Sequence, residues 1–135
     1  MPGVSTDYYG HPSPSSLGVS AALTGATTGS AAGTIVAGGT IVTAAPGNIN
    51  ANDQCGSFTV ASASSAAGLA ASVYFAQPYP ANPKSVQVTV LDTTGTGTIA
   101  CGVAPVSAGL NSGFAVYLGT TTSGHTYTIY YHVQP

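Results

Sequence analysis

The sequence has almost no charge. Charged residues make up 3% of its 135 residues, against roughly 25% in typical soluble domains. Arginine is absent, and the charged side chains are Asp7, Asp53, Lys84 and Asp92. Soluble monomers normally stay dispersed through a charged surface. This chain must either use Thr, Ser, Asn and Gln for that purpose or cover much of its surface in an assembly, and we favour the assembly.

The shortage of basic residues excludes several functions. One lysine and no arginine cannot neutralise a row of phosphates, so nucleic-acid binding is not expected. A polybasic membrane patch is excluded on the same ground. Gly, Pro, Ser and Thr break every apolar run well short of roughly 20 residues, so no transmembrane helix is predicted. The N-terminus, MPGVSTDYYGHPSP, has neither the basic nor the apolar region of a secretion signal, which predicts folding in a cytoplasm.

Signatures of catalysis are also missing. A nucleophile needs a base that is itself oriented, but the three Asp and three His residues are scattered over turns and the N-terminal region. There is no GxSxG elbow, no paired-carboxylate cluster and no HExxH motif. His125 and His132 lie seven positions apart on one predicted strand and so point to opposite faces. We predict no enzyme activity, no metal site and no cofactor.

The two cysteines are predicted to be free thiols. Cys101 is expected to share the inward face of its strand with Ile99 and Val103, whereas Cys55 follows the outward parity of Ser57. A reducing cytoplasm also disfavours a disulfide. Without a CxxC spacing, the two do not make a zinc site.

Alternating apolar residues are the main feature that is present. The stretch Gly68–Asp92 predicts a strand, a proline-rich corner (QPYPANP) and a second strand. Tyr79 in this corner either caps the fold or occupies an exposed tip, and the sequence leaves both open. Further strands are predicted within Ser57–Ser62, TGTGTIACGVAP, Gly113–Gly119 and His125–Pro135, and the GTIV repeat predicts two short strands at Gly33–Val36 and Gly39–Val42. Short strands with turns between them indicate an all-β fold, an antiparallel β-sandwich or small barrel.

Residues 1–33 are predicted to form an extended attachment arm, and residues 34–135 the β-sandwich domain. The arm is rich in Pro, Gly and Ser and has no periodicity. Such a segment becomes ordered along another surface, so we expect it to cross a partner subunit. Tyrosine suits this task because it combines apolar area with a polar tip. The predicted partner-binding residues of the arm are Tyr8, Tyr9, His11, Pro12 and Leu17.

The order of these motifs resembles the β-sandwich domain of many bacteriophage virion proteins, including tail-fibre tips, head fibres and capsid decoration proteins. The motifs are Asn52-Asp53-x-x-Gly56, AAGLAASVYFAQPYPANPKSVQVTV, SGFAVYLG and TYTIYYHV. The resemblance covers about Gly33 to Pro135, and its most specific part is the strand–xxPK–strand unit at Pro83–Lys84. The two cysteines depart from the usual pattern.

The resemblance implies a non-enzymatic capsid decoration or minor capsid protein, such as a head fibre. It would bind the major capsid protein on the outer surface of a phage head through its N-terminal arm, and would self-associate as a homotrimer. Its location would be the capsid exterior of the virion, after assembly in the host cytoplasm. The alternative is a tail-fibre or tail-tip module that recognises a host surface glycan through exposed Tyr and Asn side chains. A chain of 135 residues is too short for a long fibre shaft, which favours decoration.

Overall fold

Ten strands form two sheets in the computed structural model, which describes residues 21–107 and 109–135. Sheet 1 contains β1 (Thr24–Ala26), β2 (Thr34–Ala37), β5 (Gly68–Tyr74), β8 (Cys101–Pro105) and β9 (Gly113–Leu118). Sheet 2 contains β3 (Gly47–Ala51), β4 (Cys55–Ala61), β6 (Ser85–Asp92), β7 (Gly97–Thr98) and β10 (Thr126–Gln134). The strand orders are β1-β2-β5-β9-β8 and β3-β4-β10-β6-β7. The described residues contain no helix, and the predicted all-β sandwich is confirmed.

The inner faces of the two sheets bury one apolar core. On β10 the alternating residues Tyr127, Ile129, Tyr131 and Val133 all point into it, as their period of two predicts. The aromatic rings meet at its centre, where Phe114 of β9 lies 5.1 Å from Tyr131 between ring centroids. Full burial of each such side chain stabilises the fold by about 1.5–3 kcal/mol.

The sandwich includes residues that the sequence pattern assigned to the arm. Leu23 is buried in the core, and its N–H donates a hydrogen bond of 3.0 Å to the carbonyl of Ala51. β1 then pairs with β2, in the one parallel pairing of the described strands. Residues 23–33 therefore belong to the folded domain. The predicted partner-binding residues Tyr8, Tyr9, His11, Pro12 and Leu17 lie outside the described residues.

Only the first GTIV copy is a strand. β2 covers it, whereas Gly39–Val42 is a loop that places Ile41 and Val42 in the core. The chain turns at Gly38, where an added Cβ would lie 1.9 Å from the carbonyl oxygen of Leu69. This close backbone approach requires glycine and ends β2, but the second strand that the repeat predicted after the turn does not form.

The stretch Gly68–Asp92 carries the chain from one sheet to the other. β5 lies in the middle of sheet 1, and β6 pairs with β10 in sheet 2. The corner between them is closed by Tyr79, whose ring packs edge-on against Phe75 at 5.1 Å between centroids. Its hydroxyl donates a 3.1 Å hydrogen bond to the carbonyl of Asp53. Of the two alternatives for Tyr79, the structure shows the cap.

Candidate functional site

The turn between β3 and β4 ties the two sheets together. Asp53 in this turn is only 3% exposed. Its carboxylate accepts hydrogen bonds from the N–H groups of Ala76 (2.7 Å) and Gln77 (2.9 Å), just after β5. Because the turn belongs to sheet 2 and β5 to sheet 1, this buried carboxylate joins the sheets at one end of the sandwich.

The residues around Asp53 hold the same turn in place. The side-chain oxygen of Asn52 accepts hydrogen bonds from the N–H groups of Gln54 (2.8 Å) and Cys55 (3.0 Å). The hydroxyl of Tyr131 donates to the Asn52 carbonyl. Burial raises the pKa of Tyr131, and the nearby Asp53 raises it further, so the phenol stays protonated and able to donate. Asn52 and Asp53 therefore have a structural role in this turn.

One pair of titratable side chains comes together at the opposite end of β10. Nδ1 of His125 lies 2.7 Å from Oδ2 of Asp92. The same carboxylate accepts hydrogen bonds from the N–H groups of Gly95 (2.7 Å) and Thr94 (3.1 Å), which closes the turn between β6 and β7. The hydrogen bond from Gly95 and then that from His125 lower the pKa of Asp92. An ionised carboxylate only accepts hydrogen bonds, so it fixes the imidazole proton on Nδ1.

This pair resembles half of a catalytic triad, in which a carboxylate orients a histidine base. A triad also needs a hydroxyl or thiol at the other ring nitrogen. In the described part of the chain, the side-chain hydrogen bond of His125 goes to Asp92. The pair therefore serves to close a turn, and the sequence spacing gave no sign of it.

Asp92 makes the stability of this end dependent on pH. Folding lowers its pKa below the ordinary value of 3.8, so its stabilisation is present above that value and is lost as the pH falls through the folded pKa. We expect Asp92→Asn to unfold at a lower urea concentration than the wild type near neutral pH, and the two midpoints to converge as the pH falls through the folded pKa of Asp92. A gap between the midpoints that did not change with pH would show that the ionised carboxylate is not responsible.

A second buried polar cluster joins two loops. Ser62 and Thr121 are buried, and their hydroxyl groups lie 2.8 Å apart. Thr121 Oγ1 lies 2.8 Å from the carbonyl oxygen of Ser64 and 2.8 Å from that of Ala66, and its hydroxyl donates to these carbonyls. These contacts connect the loop after β4 to the loop before β10, and they occupy the hydroxyls in main-chain hydrogen bonds.

Both cysteines are free and exposed. Cys55 follows its predicted outward parity, and Cys101 shares the inward side of its strand with Val103, as predicted, because the two pair with the buried Leu118 and Val116 of β9. Cys101 begins β8 at the edge of sheet 1, and its Sγ lies 3.5 Å from the carbonyl oxygen of Val88. The thiol therefore faces β6 of the other sheet but stays exposed, because at the edge of sheet 1 an inward direction does not ensure burial.

Two grooves lie on the outer face of sheet 2, on either side of Tyr130. This face carries the outward-pointing residues of β10, and Tyr130 at its centre is 44% exposed. Its direct cross-strand neighbours are Ser57 on β4 and Thr89 on β6. The larger groove, of about 410 Å³, is lined by Ala22, Ile49, Asn50, Asn52, Cys55 and Ser57 as well as Tyr130. The smaller groove, of about 190 Å³, is lined by Gln87, Thr89, His132, Tyr131 and Tyr130.

The lining of both grooves is neutral and rich in hydrogen-bonding groups. It contains amides, hydroxyls, a thiol and an imidazole, but no Asp, Glu, Lys or Arg. Concave surfaces with an aromatic side chain and a few polar groups are typical of ligand sites. This arrangement supports non-covalent binding of an uncharged partner.

Comparisons with known proteins do not indicate a function for the chain. No protein-family model matches the chain, and neither curated proteins nor solved structures give a match. The likeness to phage sandwich domains therefore rests on the sequence motifs. In the described residues, no helix is long and apolar enough to cross a membrane.

Proposed function

We propose that this protein is a non-enzymatic structural component of a bacteriophage virion that decorates the outer surface of the capsid. It is assembled in the host cytoplasm as a homotrimer and binds the major capsid protein through the segment that precedes Leu23. The fold supports this proposal because it is the all-β sandwich that the sequence motifs imply. Its mechanism is binding and clamping, without chemistry.

The absence of charge from the sheet faces is the observation that carries the proposal. Asp53 is buried in a turn, and Lys84 and Asp92 stand at the two ends of β6, so the middle of each described outer face is uncharged. Interface cores are depleted of charged residues and enriched in tyrosine. Tyr117 on the outer face of sheet 1 is 44% exposed. This uncharged face packs against other subunits without desolvating charges.

Removing residues 2–20 tests the attachment proposal. The described sandwich begins after this segment, so we expect the truncated protein to keep its circular dichroism spectrum and its unfolding midpoint. We expect it to lose binding to capsids that were assembled without this protein, as measured by co-sedimentation. The full chain that carries Tyr8→Ser, Tyr9→Ser and Leu17→Ser together should also bind capsids more weakly than the wild type.

Two further measurements separate this proposal from its rivals. Binding of the full chain to capsids should vary little with salt, because an uncharged interface has no ion pairs to screen. If the truncated protein binds capsids with full affinity, residues 2–20 do not mediate attachment. A steep dependence on salt would contradict an uncharged interface.

A tail-tip module that recognises a host glycan is the second candidate function, and the grooves beside Tyr130 favour it. The two candidates differ in copy number on the virion. Decoration predicts hundreds of copies, whereas a tail tip predicts a handful. Quantitative mass spectrometry of purified virions therefore distinguishes them.

A further inference from the structure

The attachment function leaves the grooves beside Tyr130 without a role. We propose that this surface binds a neutral oligosaccharide, with Tyr130 as the platform on which a sugar ring stacks. Sugar binding at this surface deepens the second candidate function, glycan recognition, and rests on it. It is independent of attachment, which is assigned to the residues before the sandwich.

The shape of the surface favours an elongated ligand. The strand register places Asn50, Ser57, Tyr130 and Thr89 in one row across β3, β4, β10 and β6. Three strand spacings make this row roughly 14 Å long. Tyr130 lines both grooves, and its cross-strand neighbours Ser57 and Thr89 have smaller side chains. A chain of sugar rings can lie across this row, with Tyr130 near its middle.

Tyr130 supplies the apolar contact that a sugar needs. The face of an aromatic ring carries partial negative charge. A pyranose presents weakly positive C–H groups on its faces and hydroxyls around its rim, so its face stacks on the ring. Tyrosine has only two side-chain torsions, so little conformational entropy is lost when it is held by a ligand.

The polar groups of the grooves match the rim of a sugar. The amides of Asn50 and Gln87 each offer donors and an acceptor, and the hydroxyls of Ser57 and Thr89 do both as well. Sugar hydroxyls likewise donate and accept. A row of such groups therefore pairs with an oligosaccharide without leaving donors opposite donors.

The charge of the surface excludes acidic and basic ligands. Neither groove is lined by Asp, Glu, Lys or Arg. A phosphate, sulfate or carboxylate bound here would lose its water without gaining a counter-charge, which is costly. A neutral sugar has no such cost, and this difference selects the ligand class.

The two free thiols provide a direct test in the full-length protein. Cys55 lines the larger groove, whereas Cys101 is exposed at the start of β8 in the other sheet. A bound oligosaccharide should shield Cys55 from iodoacetamide and leave Cys101 unaffected. At a ligand concentration ten times the Kd, alkylation of Cys55 should slow about tenfold. The probes are neutral hexasaccharides of glucose, mannose, galactose and N-acetylglucosamine, each at millimolar concentration and compared with a sialylated and a sulfated oligosaccharide.

Matched variants locate the binding site. Tyr130→Ala should weaken the affinity roughly tenfold through loss of stacking. Tyr117→Ala is the control, because Tyr117 is equally exposed but lies on the other sheet, and it should leave the affinity unchanged. Gln87→Ala should weaken binding of a hexasaccharide more than that of a disaccharide, because the longer ligand reaches both grooves.

Three outcomes would overturn the proposal. The first is that no neutral hexasaccharide shields Cys55. The second is that a charged oligosaccharide shields it better than every neutral one. The third is that Tyr130→Ala leaves sugar binding intact but changes the oligomeric state in analytical ultracentrifugation, which would make this face a subunit interface. Two variants distinguish the two proposals. Tyr130→Ala should lose sugar binding and keep capsid attachment, whereas the protein without residues 2–20 should lose attachment and keep sugar binding.

Discussion

Replacing Asp53 with alanine should lower the free energy of unfolding by about 2–4 kcal/mol. The substitution leaves the N–H groups of Ala76 and Gln77 without their acceptor. Ala76 is partly buried, so its N–H loses a hydrogen bond that water does not readily replace, whereas Gln77 is exposed and is partly compensated. Against a total stability of about 5–15 kcal/mol for a typical domain, this is a large effect. Urea unfolding followed by far-ultraviolet circular dichroism measures it.

Asp92→Ala is the control for this experiment. Asp92 also accepts main-chain hydrogen bonds, but it closes a local turn within sheet 2 and does not connect the two sheets. We therefore expect the smaller decrease in stability from Asp92→Ala. Equal effects from the two substitutions would show that the link between the sheets at Asp53 contributes nothing beyond an ordinary turn.

Replacing Phe114 with alanine should have the largest effect of a single core substitution, about 3–5 kcal/mol. The Phe114 side chain is fully buried, and its ring contacts Tyr131 across the sandwich and Phe75 in its own half. Its removal leaves a cavity between the sheets that their backbones cannot close. The unfolding midpoint in urea should fall accordingly, and the protein should be close to unfolded at 37 °C if its total stability lies at the low end of the usual range.

Tyr117→Ala is the matched control on the same strand. Tyr117 points to the outer face of sheet 1 and is 44% exposed. Substitutions at such surface positions usually change stability by no more than about 0.5 kcal/mol. If Tyr117→Ala destabilised the protein as much as Phe114→Ala, the alternation along β9 would not separate the core from the surface.

The parts of the fold that the sequence predicts are the central strands with large alternating side chains. On β10, four large apolar residues recur with a period of two, and all four are buried. The pattern fails at edges and short elements. β1 is only three residues long and is held by backbone pairing and by Leu23, while Cys101 stays exposed at the edge of sheet 1 although its thiol faces Val88 of β6. In these places tertiary contacts, and not the local pattern, determine burial.

The candidate site was less predictable than the fold because it depends on strand order. The outward position of Tyr130 follows from alternation, but the grooves exist because small residues on β4 and β6 happen to pair with it. The contact between Asp92 and His125 likewise arises because β6 and β10 are neighbours. Residues 33 positions apart meet there, and no local motif encodes that meeting. The arm predictions concern residues before Ala21 and stay predictions.

The way in which the chain enters the sandwich also determines how the domain responds to force. A pull on its N-terminal end reaches Leu23 and β1 first, and these are held by the buried Leu23 side chain, its main-chain hydrogen bond to Ala51 and a three-residue pairing. Peeling them away would release residues 23–33, which is slack on the order of 40 Å. The other four strands of sheet 1 would stay paired in the order β2-β5-β9-β8. In a particle that is held by this end, residues 23–33 would extend under force before the rest of the sandwich unfolds.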